Sequence, residues 1–325
     1  MKIRKWMPRF GSRAQGALLG ALLPLALGLA LPAGYAQQAY AATSAQQRFD
    51  TPEAGVGAMV AAVRAGDQVR LRAILGPGSS KLVRSGDEVE DRQGRDAFLK
   101  SYDEASKLAY PATDKVLLLV GKDEWPMPIP LVRDGAQWRF DARQGEAEIL
   151  ARRIGRNELA AIQVCQAIVA AEREYTLQDP NHSAVPEYAA RLASTPGKRD
   201  GLYWPTQAGE PESPLGPLLA AAARDGYGAA LGQSQAPTPY HGYYYRILAR
   251  QGKEAAGGAY DYIVRGRMIG GFALVAYPAR YGASGVMTFL VSQDGQVLQK
   301  DLGRRTAVLA GQMSAYNPDA SWTKP

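Results

Sequence analysis

Hydrophobic positions change their period several times along the 325-residue chain, and each change predicts an element. From Pro52 the apolar residues of PEAGVGAMVAAVRAG fall at helical spacing, with Thr51 placed to cap and Pro52 at the first helical position. QVRLRAIL predicts a second helix that stops at GPGSS. DRQGRDAFLKSYDEASKL predicts a third, amphipathic through Phe98, Leu99, Tyr102 and Leu108. The period then shortens to that of strands. KVLLLVG is a short strand, and MPIPLVRDGAQWRFD is a hairpin that turns at Asp134-Gly135. Helical spacing returns from about Glu146 to Leu177, a span of roughly 48 Å at 1.5 Å per residue. Gly155 inside it costs on the order of 1 kcal/mol relative to Ala, which leaves room for a kink or a close packing contact. A Gly/Pro-rich passage follows, with one short helix, LLAAAARD. HGYYYRILAR, AYDYIVRG, GGFALVAYP and GVMTFLVSQDGQVLQKDLG then predict four or five strands, with a tight turn at Asp294-Gly295.

This order predicts an α+β protein in three parts. Residues 42–145 form a small domain of helices and a curled hairpin sheet, and residues 146–178 a long connecting helix. Residues 179–325 form a Gly/Pro-rich loop and an antiparallel β domain packed on that helix. Residues 1–41 read as a secretory signal: MKIRKWMPRFGSR is basic, AQGALLGALLPLALGLALPAG is uncharged, and small residues precede cleavage points after Ala36 and Ala41. The competing reading is an uncleaved anchor; Pro24 in the apolar run and the two cleavage points argue for removal. The expected location is the periplasm or the outside of the cell, with no membrane span after cleavage.

Charge changes the picture only once that segment is set aside. The formal charge of +7 includes five basic residues between Lys2 and Arg13, so without them the chain sits near +2. A near-neutral chain offers no footprint for nucleic acid. The single cysteine, Cys165, cannot form an internal disulfide and falls in an apolar helical run, which predicts burial.

Candidate chemistry is sparse. With two histidines in all, there is no HExxH, no zinc spacing and no Cys/His cluster; G-x-S-x-G, P-loop and SxxK motifs are also missing. No cofactor or metal is expected. On the long helix, Arg152, Arg153 and Arg156 fall opposite the arc of Leu150, Ile154, Val164, Cys165, Ile168, Val169 and Tyr175. They read as a solvated or domain-contacting face, or else as an anion or partner site. Glu148 stands four residues before Arg152, the spacing of a helix ion pair. Glu158 and Glu172 fall inside the apolar arc, with Asn157 at its edge, so both acids need partners or raised pKa values. About 21 Å separates them along a helix, too far for a catalytic dyad. A basic partner for Glu158 from the adjacent sheet is the expected arrangement. Asp200, Glu210 and Glu212 flank Tyr203-Trp204-Pro205, where aromatic faces could meet a sugar or could plug the loop onto a core. His241 precedes Tyr243, Tyr244 and Tyr245, whose side chains alternate faces on a strand.

WPMPIPLV, WRFD, RRIGRNELAAIQVC, DGLYWP, SPLGPL, HGYYYRIL, GRMIGGFALVAYPARYG and GVMTFLVSQDG together resemble the DUF2950 family of bacterial exported proteins, over essentially the whole chain after the signal. That resemblance implies an exported protein and brings no catalytic residues, because the family is one of unknown function. The helix order and the DG-x-W hairpin of the first domain look like the cystatin-like cone of the nuclear-transport-factor-2 type. The C-terminal half is similar to type IV pilin-like and pseudopilin domains, although the chain lacks a prepilin peptidase site and carries a whole domain before the helix. The reading that follows is a non-enzymatic interaction or scaffold protein of the cell envelope, its partner an envelope protein or glycan. Two alternatives stand beside it: a glycan hydrolase using carboxylates near Tyr203-Trp204, and a small-ligand cavity in the first domain lined by Phe98, Trp125 and Trp138.

Overall fold

The computed structural model describes residues 46–207, 209–227 and 238–325. The expected signal segment and its cleavage points lie outside the described residues.

Capping chemistry sets the first helices. Helix α1 (Pro52–Arg64) starts where the Thr51 hydroxyl accepts from the Ala54 amide at 3.1 Å. Helix α2 (Gln68–Leu75) starts where the Asp67 carboxylate accepts from the Arg70 amide at 2.9 Å. A four-residue helix, α3 (Ser80–Val83), leads into α4 (Glu88–Glu104). Here the structure departs from the helix expected to run on to Leu108. Ala105 is extended, and Ser106–Ala112 forms strand β1, pairing antiparallel with β2 (Lys115–Val120). Strand β2 alternates half-buried and buried residues and needs hydrogen-bonded neighbours on both edges. Pairing across the sheet therefore overrides the helical tendency of Ala105–Leu108. Strands β3 (Trp125–Pro126), β4 (Leu131–Asp134) and β5 (Gln137–Phe140) complete an antiparallel sheet ordered β1-β2-β4-β5, with β3 against β2. Gly135 supplies the positive φ of 67° at the predicted hairpin turn.

Helix α5 (Ala142–Gln178) runs unbroken for 37 residues. It ends at Asp179, in the left-handed conformation with φ 42°, and Pro180 cannot continue it. Beyond it lie α6 (Gly216–Arg224), β6 (Tyr243–Leu248), β7 (Arg250–Gln251), β8 (Tyr260–Asp261), β9 (Ile263–Val264) and β10 (Arg267–Met268). Strands β11 (Ala273–Pro278), β12 (Met287–Ser292) and β13 (Leu298–Asp301) and helix α7 (Thr306–Gly311) close the chain. An antiparallel sheet ordered β13-β12-β11-β6 is the main layer, while β7-β8 and β9-β10 are two-stranded ladders. AYDYIVRG is thus not one strand but parts of two ladders.

Two hydrophobic cores result, and α5 contributes to both. The first gathers Phe49, Met59, Ile74, Leu118, Leu131 and Phe140, with Ala142 and Ile149 from the start of α5. The second sets Ala161, Val164, Cys165, Ile168 and Val169 of α5 against Tyr243, Leu274 and Phe289 of the second sheet. Between them the helix passes a polar seam. Arg153 donates to the carbonyls of Lys81 (2.7 Å) and Leu82 (2.9 Å). Asn157, 4% exposed, donates from Nδ2 to Glu90 and to the Ser284 carbonyl, each at 3.0 Å. Buried Asp87 accepts from the Tyr227 hydroxyl and the Gly242 amide, both at 2.9 Å. Among the described residues, no helix is long and apolar enough to cross a membrane.

Candidate functional site

A cleft of about 970 Å³ opens where the first core meets α5. Its floor is apolar: Met59 of α1, Leu71 and Leu75 of α2, Val120 of β2, and Met127 and Ile129 before β4. Phe98 on α4 and Trp125 on β3 line it too. The space exists because α4 turns Gly94 and Ala97 toward it, and a Cβ added at Gly94 would meet nothing within 4 Å. Toward the seam the lining becomes polar, with Glu90, Asp91, Arg95, Arg153, Arg156, Asn157 and His241. A mostly apolar hollow of this size, with polar groups converging on part of it, has the form of a small-molecule site. A second, smaller hollow of about 710 Å³ is lined by Arg48, Asp134 and Arg139. Three of its charges satisfy one another, Asp134 pairing with Arg48 at 2.9 Å and Arg139 at 3.5 Å.

Of the residues singled out in the sequence, Arg153, Arg156 and His241 meet in the large cleft. Arg153 is not a solvated arginine: its guanidinium holds the α3 carbonyls. Arg156 is 71% exposed and reaches Glu90 only at 3.9 Å. Arg152 pairs with Glu148 at 2.5 Å, as the spacing predicts, and lies over the Trp125 ring at 5.5 Å. His241, with φ 49°, packs tilted against Tyr240, the ring centroids 4.1 Å apart. Burial lowers its pKa below the usual imidazole value, against the opposing pull of Asp225 and Asp87. Phe98 and Trp125 line the cleft as expected, but Trp138 does not. It is 5% exposed, paired with Phe49 across the sheet edge and packed into the core.

Glu158 stands elsewhere, and its expected basic partner is replaced by backbone. One carboxylate oxygen accepts from the Val286 and Met287 amides, both at 2.9 Å. Those amides lie at the start of β12, so Glu158 ties α5 to the second sheet. Asp200 accepts from the Thr195 amide (2.7 Å) and hydroxyl (2.8 Å). Burial works to raise its pKa, but these bonds outweigh it and hold the carboxyl below its usual value. Tyr203 exchanges backbone hydrogen bonds with Leu192 and Ser194. Trp204 is 6% exposed, edge-on to Tyr175, with Arg199 over its ring at 5.4 Å. With its ring buried and Arg199 over one face, Trp204 plugs the loop onto a core and presents no open platform to a sugar.

Glu90 and Asp91 went unnoticed in the sequence because they look like ordinary first-turn charges of α4, and Arg95 because it looks like a solvated charge two turns into the helix. Burial raises the Glu90 carboxyl above its usual value, more than the Asn157 hydrogen bond and the nearby Arg153 and Arg156 lower it. Burial likewise raises Asp91, although both its oxygens accept from the Ser85 amide at 3.0 Å. Cys165 is buried and its thiol is pushed up to about 12, so it is protonated and unreactive at neutral pH. Among the described residues, no group of three or more His, Cys, Asp or Glu side chains could hold a metal ion.

The family described as "protein of unknown function (DUF2950)" matches residues 46–324. The chain belongs to the DUF2950 family. No curated protein and no solved structure matches the chain.

Proposed function

We propose that this DUF2950 protein is an exported, non-enzymatic binding protein of the cell envelope that holds a small, largely apolar molecule in the cleft beside α5. The cleft's apolar floor carries the reading: about 970 Å³ lined by Met59, Leu71, Phe98 and Met127 is within the usual range of ligand sites, about 300–1,000 Å³. The export half of the proposal rests on the basic, apolar and small-residue order of the first 41 residues. A scaffold role through a pilin-like C-terminal half has support from the long helix lying on an antiparallel sheet. It names no surface that a partner would use, so the ligand reading is preferred. The glycan reading loses its motivation with the Trp204 ring buried and Asp200 occupied by Thr195.

Occluding the cleft tests the proposal. Ala97 is exposed on α4 and lines the cleft, so Ala97→Trp fills the space without disturbing either core. The parent protein should bind an uncharged fluorescent probe such as N-phenyl-1-naphthylamine with 1:1 stoichiometry, and the variant should lose that binding at an unchanged Tm. Equal probe binding by the two proteins would count against the cleft.

A further inference from the structure

The charged groups of the cleft differ in whether they are already engaged. Both oxygens of Asp91 accept from Ser85, and Glu90 accepts from Asn157. Arg153 is committed to the Lys81 and Leu82 carbonyls. Arg95 is different. It sits on α4 one turn after Asp91 and one before Phe98, half-buried in the lining, with no hydrogen-bond or ion-pair partner among the described residues. Arg156 adds a second set of donors, since its contact with Glu90 at 3.9 Å is beyond hydrogen-bond range. A guanidinium carries five N–H donors in a fixed fork matched to carboxylate geometry. Two such forks border an apolar floor: Arg95 has its donors free among the described residues, Arg156 faces only the Glu90 oxygen that Asn157 leaves open, at 3.9 Å, and both oxygens of Asp91 are taken. The complement of this arrangement is an anion attached to a hydrocarbon.

Resting on the cleft as a ligand site, we infer that its occupant is a free, single-chain anionic amphiphile of the long-chain carboxylate class. The tail lies on Met59, Leu71, Phe98 and Met127, and the carboxylate is held by Arg95 and Arg156. The exposed Trp125 and Leu159, 42% and 66% accessible, form the apolar rim over which the chain enters. Arg95 and Arg156 are then specificity-determining: they choose the head group, and the floor holds the chain.

Calorimetric titration with three ligands of equal chain length, below their micelle concentrations, tests this. Dodecanoate should bind 1:1 and about tenfold or more tighter than dodecanol, since a charge-assisted hydrogen bond contributes that much; dodecyltrimethylammonium should bind weakest. Arg95→Gln with Arg156→Gln should remove the preference for dodecanoate while leaving dodecanol binding unchanged, and Arg95→Glu should shift the preference toward the cation. Binding of all three ligands with equal affinity would overturn the head-group assignment while sparing the cleft. Failure of all three would overturn the cleft reading itself. Sedimentation with anionic phospholipid vesicles, without binding of free dodecanoate, would also overturn the inference, because the arginines would then serve a membrane surface.

Discussion

Glu172 carries a buried carboxylate oxygen without a partner among the described residues. It is fully buried on α5, and its other oxygen accepts from the Ala189 amide at 2.9 Å. Burial raises its pKa well above the ordinary 4.5, against the single amide bond. A carboxyl whose folded pKa exceeds its unfolded one takes up a proton on folding. Its contribution to stability is whole below about 4.5 and is lost as pH rises from there toward the folded value. Glu172→Gln cannot ionise and keeps an oxygen for Ala189. It should raise Tm by several degrees at pH 8, with the gain shrinking toward zero near pH 4.5; thermal melts across that range check it, and a pH-independent difference would contradict it. The helical wheel already placed Glu158 and Glu172 on the dry side. Their different solutions, two amides for one and a single amide with a raised pKa for the other, depend on β12 and on the loop at Ala189, 128 and 17 residues away.

At the scale of elements, two glycines in α5 have opposite meanings. Gly155 has nothing within 4 Å of a built Cβ, and the helix neither breaks nor packs closely there. Gly155→Ala should therefore stabilise the fold by about 0.5–1 kcal/mol. A Cβ on Gly145 would stand 2.6 Å from the Pro128 carbonyl carbon, so Gly145→Ala should destabilise by about 2 kcal/mol or more. Chemical denaturation of the two variants measures both signs. Sequence pattern located α1, α2, α5 and the Asp134-Gly135 hairpin because local signals agreed there: an N-cap, helical spacing, a turn glycine. It failed on α3, β1 and α7. The four residues of α3 are held by Arg153, and also by Arg280, which donates to the Ser80 hydroxyl at 3.1 Å. Strand β1 is dictated by its partner β2, and α7 is a six-residue helix of weak periodicity. Where an element owes its form to a distant neighbour, its own residues carry little sign of it.

For the whole molecule, the cleft is what the linear sequence hides most completely. Its lining runs from Met59 to His241 and draws on every helix from α1 to α5, so no window of sequence contains it. Phe98, Trp125, Arg153, Arg156 and His241 could each be picked out singly, but nothing local marked Gly94 and Ala97 as the residues that keep the space open. Helix α5 explains why the cleft lies where it does. Its first turns complete the first core, its later turns the second, and the stretch from Arg153 to Gln163 faces the gap between.

Methyl chemical-shift mapping with dodecanoate is the most direct measurement of this account. The structure predicts saturable shifts at the methyls of Met59, Leu71, Leu75 and Met127, with those of Val275 and Leu290 in the second core unmoved. Shifts centred on the second core, or none at the cleft methyls at saturating ligand, would contradict it.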